Sequence, residues 1–219
     1  ADKNPNPAIM YRRLLCVAVW TAMIPFLGKY LIAAIAVGLA LVVKSNFLIW
    51  ASFAACIVLF VYPLMMLGTV TPSLMKYATN SLDDNGKTVG ELEALGTIGS
   101  IIGTFLPTFV TIPAVGTAMT FLIFAFVLAV LSLLYFIFEK TDKKKKIRKV
   151  TSNAIIAGII VIMMFLPEKN SFAFWTNDLV YEGESIYNYL QVQEDEDSVI
   201  LSTNVMMGVQ SIYMKSGGL

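Results

Sequence analysis

The length of its uncharged apolar runs constrains this chain more than any other feature. Thr117 to Phe138 is a stretch without a single charge. Pro63 to Gly116 places two proline-bearing apolar segments on either side of one short charged loop. At about 1.5 Å of helical rise per residue, the uncharged stretch reaches about 33 Å, enough to cross a hydrocarbon core of about 30 Å. A backbone in hydrocarbon must satisfy its own N–H and C=O groups, which for sequences of this kind means helices.

Composition agrees. Hydrophobic residues make up 57% of the 219 and charged residues 14%, against about 45–50% and about 25% in soluble domains. The charges are sorted along the chain: residues 1–167 carry 14 Lys/Arg against 7 Asp/Glu, whereas 168–219 carry 2 against 8, opposite balances that nearly cancel to +1. This predicts a multi-pass helical part over 1–167 and a small acidic β-hairpin region over 168–219, with the boundary near Pro167. Histidine is absent, which excludes His-ligated haem, His-containing zinc sites and His-based acid–base relays within the chain. Cys16 and Cys56 lie in separate apolar runs without metal-ligand or redox spacing, and are expected as packing residues. No metal and no cofactor is expected.

The fold class predicted is mainly α, a polytopic bundle of five or six membrane helices with a small antiparallel β tail. Leu14 to Val43, interrupted by Gly28-Lys29 and containing Pro25, is expected as one bent span or as one span plus a shorter piece. Phe47 to about Leu67, Thr88 to Ile112, Thr117 to Phe138 and a segment around Ala154 to Leu166 supply the rest. The loop 139–149, EKTDKKKKIRK, carries Lys143, Lys144, Lys145, Lys146, Arg148 and Lys149, and excess Lys/Arg marks the cytoplasmic side. Its expected role is to set topology, with lipid headgroup contact as the alternative. On this basis the turn at Pro113 to Gly116 lies outside, the loop around Lys76 to Lys87 inside, and the C-terminal tail outside a plasma membrane of bacterial or archaeal type.

Gly96, Gly99 and Gly103 in the Thr88 to Ile112 segment are spaced so that a second helix backbone can approach closely. They are expected as a packing face rather than a nucleotide loop, since the G-x-G spacing and a preceding strand are both missing. Pro107 is expected to kink this helix. A helix ending in G-x-x-x-P, a short charged loop and a glycine-rich helix resemble the middle of a major-facilitator half-domain, which implies solute transport, although no internal repeat accompanies the likeness. After Pro167 the chain turns β-rich: Tyr187 to Val192 and a run from Val199 flank the acidic turn Glu194-Asp195-Glu196-Asp197, and Gly208 to Met214 adds a third strand. The acidic turn lacks EF-hand spacing and is expected to be solvated.

Two motifs carry a family resemblance. Y-x-x-E-S-x-Y-N-Y-x-x-V from Tyr181 to Val192, followed by L-x-x-N-x-x-x-x-x-Q-S-x-Y from Leu201 to Tyr213, resembles the start of the spermidine synthase-like domain found fused to multi-pass membrane segments. Gly68 to Pro72 and Thr88 to Ser100 resemble the membrane half of the same fused proteins, so the likeness covers most of residues 60–219. In aminopropyltransferases that β-domain forms one lip of the active site, above a Rossmann-like domain that holds decarboxylated S-adenosylmethionine. The resemblance implies a ligand-facing role for Tyr187, Asn188, Gln210 and Ser211. Asn188 stands where the family has Gln, and Asn204-Val205-Met206 where fused relatives have Asn-Glu-Gly.

No Gly-rich strand-to-helix turn, ribose-binding acid or catalytic base of that family occurs before Leu219. The resulting expectation is a noncatalytic integral membrane subunit or scaffold, related to fused spermidine synthase-like proteins. Its expected partners are the lipid bilayer and either other membrane subunits or a second copy of the chain, with no nucleic acid. The alternative is part of a longer or split membrane-bound aminopropyltransferase-like enzyme or small-solute transporter. A β tail outside the membrane stands in tension with a cytosolic family substrate.

Overall fold

A computed structural model describes residues 7–42, 46–78, 85–139, 143–166, 178–185, 187–203 and 208–215. The expected boundary at Pro167 and the Asn204-Val205-Met206 segment lie outside these residues. The chain is mainly helical, with a four-stranded antiparallel sheet near its C-terminus. The helices are α1 (Pro7–Val42), α2 (Phe47–Gly68), α3 (Val70–Ala78), α4 (Asn85–Leu106), α5 (Ile112–Phe138) and α6 (Lys143–Met164), with a π-helical turn, Pro107–Thr111, joining α4 to α5. Four helical runs are long and apolar enough to cross a membrane: Pro7–Val42, Ile49–Ala78, Gly86–Phe138 and Lys143–Met164.

The core lies where α1, α5 and α6 meet. Along α5 the buried residues Ala118, Leu122, Ala125, Ala129, Ser132 and Phe136 recur at alternating spacings of four and three, the period that keeps one stripe facing a neighbouring helix. Most are small, which lets the helix axes approach. Leu15, Ala18 and Ala22 of α1 and Ala157 and Ile160 of α6 complete the cluster. The small-residue contact that holds helices together in apolar surroundings is therefore made by alanines. Gly96, Gly99 and Gly103 lie on α4, where an added methyl group would meet nothing within 4 Å and residues 93–106 are all exposed.

Several polar groups within the apolar helices bond inside their own helix, and others bond between helices. Thr97, Ser100, Thr104 and Thr108 donate to carbonyls three or four residues back in their own helix, those of Glu93, Thr97, Ser100 and Thr104. Trp20 Nε1 donates to the Leu59 carbonyl at 2.9 Å, tying α1 to α2. Ser132 Oγ, fully buried, lies 3.0 Å from the Tyr11 carbonyl and 2.9 Å from Asn153 Oδ1, while Asn153 Nδ2 donates to the Lys149 carbonyl. This joint links α1, α5 and α6 at one end of the helices, where Tyr11 also stacks on Tyr135 with ring centroids 4.0 Å apart.

Several expectations change in detail. Of the two alternatives for the first apolar stretch, the single helix is the one seen: α1 runs unbroken through Gly28-Lys29 to Val42, with Pro25 buried inside it. Pro107 is accommodated by widening the helix into the π turn, since it has no N–H to give and its ring crowds the preceding turn. The chain breaks direction three residues after Pro113, at Gly116, whose φ of 82° and ψ of 168° belong to a region open essentially to glycine. Cys16 and Cys56 are exposed and unbonded, not packed inside the chain.

The β region has four strands, β1 (Leu179–Glu184), β2 (Tyr189–Glu194), β3 (Ser198–Ser202) and β4 (Val209–Met214), in the order β1-β2-β3-β4. Three of them match the expected strands, and β1 is a fourth that the strand pattern did not predict. Glu182 pairs with Gln191 and Glu184 with Tyr189 across β1 and β2. The acidic turn joins β2 to β3, and Lys215 closes it with an ion pair to Glu194 at 2.8 Å and a hydrogen bond to the Asp195 carbonyl at 2.8 Å.

Candidate functional site

Among the described residues, the sheet meets the helices at a joint built around Gly116. The break there turns the backbone N–H of Thr117 outward, and Glu184 at the end of β1 accepts from it at 2.7 Å. The Thr117 hydroxyl donates to the other carboxylate oxygen of Glu184. A two-pronged, charge-assisted contact of this kind fixes orientation as well as distance. Gly116 is favoured by its positive φ, and a Cβ there would press on Glu184 Oε2 at 3.1 Å, so the glutamate would have to give way slightly.

Beside the joint lies a cavity of about 320 Å³, lined on one side by Ile112, Pro113, Val115 and Ala118, and on the other by Tyr181, Glu182, Gly183 and Tyr189. The Tyr181 ring folds back over Gly183, where a side chain would strike it. Tyr189 donates its hydroxyl to Glu182. Burial, and then the hydrogen bond to and negative charge of Glu182, push the Tyr189 phenol well above its ordinary value. Both glutamates are thus engaged in holding structure. No cluster of three metal-ligating side chains occurs among the described residues.

The residues singled out by resemblance lie elsewhere on the sheet. Tyr187 and Asn188 form the tip of the β1–β2 hairpin, where Ser185 Oγ accepts from the Asn188 N–H at 2.9 Å and from the Tyr187 N–H at 3.3 Å. The Tyr187 side chain is 88% exposed. Gln210 and Ser211 sit on the edge strand β4, and Gln210 Nε2 donates to the Thr203 hydroxyl at 3.2 Å. At about 4.8 Å per strand, two strand spacings separate β4 from β2, so the two pairs occupy different parts of the sheet. Sequence reasoning missed Glu184, Thr117 and Gly116 as a unit. A glycine directly before Thr117 at the head of an apolar span was visible, but its acidic partner is 67 residues away.

At the opposite end of the helices Lys149 donates to both carboxylate oxygens of Glu139, at 2.9 and 3.2 Å, and lies 5.1 Å from the centre of the Phe136 ring. Arg148 and Lys149 of α6 face Arg12 of α1 across a second cavity, of about 540 Å³. Lys144 and Lys145 line a neighbouring one together with Arg148 and Lys149. The remaining two, Lys143 and Lys146, lie on the first turn of α6.

Comparison with known proteins agrees with the family resemblance in part. Over 87 residues, 40% of this chain, it is 51% identical to a protein of Bifidobacterium longum (strain NCC 2705) described as a probable polyamine aminopropyl transferase. That match spans 18% of the relative's length. No protein-family model matches the chain, and no solved structure does. The identity relates the chain to spermidine synthase-like proteins.

Proposed function

We propose that this chain is the membrane-embedded, noncatalytic part of an aminopropyl transferase-like assembly, and that its work is to hold a synthase-like β-sheet against one face of the membrane. The Glu184 clasp on the Gly116–Thr117 turn carries this reading, because it joins the sheet directly to the head of an apolar helix. The chain path supports five crossings. The Arg13 guanidinium reaches the Thr69 hydroxyl at 3.2 Å, so α2 ends beside the start of α1. The run from Asn85 turns back at Gly116, and α5 returns to Tyr11 through Tyr135. Arg12, Arg13 and the α6 basic run then share one end, which the positive-inside rule makes cytoplasmic, and the sheet lies at the other.

The exposed glycine face of α4 is the surface proposed for a second polypeptide. The hydroxyls of that helix close on their own backbone, which leaves a transport reading without a polar path there. Tyr187, Asn188, Gln210 and Ser211 remain the proposed ligand-facing positions of the sheet.

The test combines topology with chemistry. In a full chain with Cys16 and Cys56 replaced by Ala, a single cysteine at Ser198 is expected to react with an impermeant thiol reagent in intact cells, and one at Ile147 only after lysis. The purified chain is expected to show no aminopropyl transfer from decarboxylated S-adenosylmethionine to a diamine. Extraction of the chain by alkaline carbonate, reversed labelling, or turnover by the chain alone would each overturn the proposal.

A further inference from the structure

The cavity between α1, α5 and α6 has a composition that neither the helix packing nor the proposed anchoring role uses. Its rim carries Arg12 from one helix and Arg148 and Lys149 from another, with Ser152 and Asn153 beside them, while Ile9, Leu15 and Phe136 form an apolar wall. Lys149 is committed to Glu139, whose side chain is only 13% exposed. That pair is neutral, so Arg12 and Arg148 leave two positive charges at the rim, and neither has a carboxylate partner among the described residues. Helices distant in sequence converge here because the Ser132–Asn153 joint and the Tyr11–Tyr135 stack fix α1 and α6 against α5 just beneath the rim.

A guanidinium presents a planar fork of donors that matches a phosphate oxygen pair, and two such groups lining one cavity from different helices give an anion more than a diffuse attractive surface. The adjoining apolar wall suits an anion that is itself attached to a hydrocarbon body. We infer that this cavity binds a phosphate-bearing anion through Arg12 and Arg148, with an anionic phospholipid headgroup as one source and free phosphate as the other. The lipid source rests on the membrane placement proposed above; binding of phosphate by the detergent-solubilised chain does not.

The experiment uses the full chain purified in uncharged detergent, with native mass spectrometry and thermal unfolding as readouts. The probes are phosphatidylglycerol, phosphatidylcholine and inorganic phosphate. One retained phosphatidylglycerol that phosphate does not displace identifies the headgroup; a phosphate-dependent rise in unfolding temperature without lipid retention identifies the free ion. In either arm the R12Q/R148Q double variant is expected to bind about tenfold or more weakly, equivalent to about 1.4 kcal/mol. K144Q/K145Q, which removes the same charge from the neighbouring surface, is expected to bind like the unaltered chain. Equal weakening in the two variants would reduce the effect to a diffuse lysine field and overturn the inference, as would equal retention of phosphatidylcholine or no response to any probe. Unchanged circular dichroism and elution of both variants keep misfolding from imitating a loss. Carbonate extraction of membranes from the expressing cells, before detergent is added, tests the membrane placement separately.

Discussion

Gly116 shows how much one residue decides. Its backbone occupies a region that costs other residues of order 1–3 kcal/mol, and its missing side chain admits Glu184. Gly116→Ala is therefore expected to lower the unfolding temperature and to loosen the sheet, read as faster proteolysis within 178–215 while the helical part stays resistant. Equal protection of both regions would separate the glycine from the joint. Tyr189 offers a pH probe at the same scale. Its phenol is raised above the ordinary 10.0, by desolvation first and by Glu182 second. Because the folded state holds the proton more tightly than the unfolded one, this contribution to stability is full below pH 10 and declines as pH rises beyond it. Tyr189→Phe should flatten that alkaline decline and should leave the phenolate absorbance transition around pH 10 unaltered in size. Loss of one tyrosine from that transition would show that Tyr189 titrates normally.

At the scale of elements, the helices were legible from length and apolarity, and their contacts were not. The alanine stripe of α5 was present in the sequence at its alternating spacing, yet glycine spacing in α4 drew the packing expectation, since glycine permits the closest approach. The observed contact depends on which helix lies opposite, and that follows from chain path. Ser132 and Asn153 show the same dependence: a serine and an asparagine in apolar runs acquire meaning only when they meet. Ser132 has one proton for two acceptors, so its removal leaves whichever of the Asn153 amide oxygen and the Tyr11 carbonyl holds it short of that donor at a buried position. Ser132→Ala should cost about 1–3 kcal/mol, measured by thermal unfolding in detergent. An unchanged midpoint would mean that water reaches the joint. β1 was missed for a related reason. Leu179–Glu184 carries two acids and a glycine, weak strand formers, and pairing with β2 overrides that local preference.

For the whole molecule, the arrangement places charge and sheet at opposite ends of the apolar helices. The basic residues near the start of α1 and those of α6 gather at one end although Arg12 and Arg148 are 136 positions apart in the chain, because α5 and α6 bring the chain back to α1. The labelling experiment at Ser198 and Ile147 belongs to this scale, since it asks only which end faces which compartment. The partial identity to a probable polyamine aminopropyl transferase covers 40% of the chain, and the sheet docks on the helical part at Gly116.

Composition and pattern alone determined the mainly helical character, the apolar lengths, the sorting of charge and the β-rich end, because each is a property of neighbours in sequence. The tertiary structure decided which stripe packs, where the sheet docks, and which cations share a cavity. Those outcomes depend on groups from distant segments meeting at hydrogen-bond or van der Waals distance, and no local pattern records the partner.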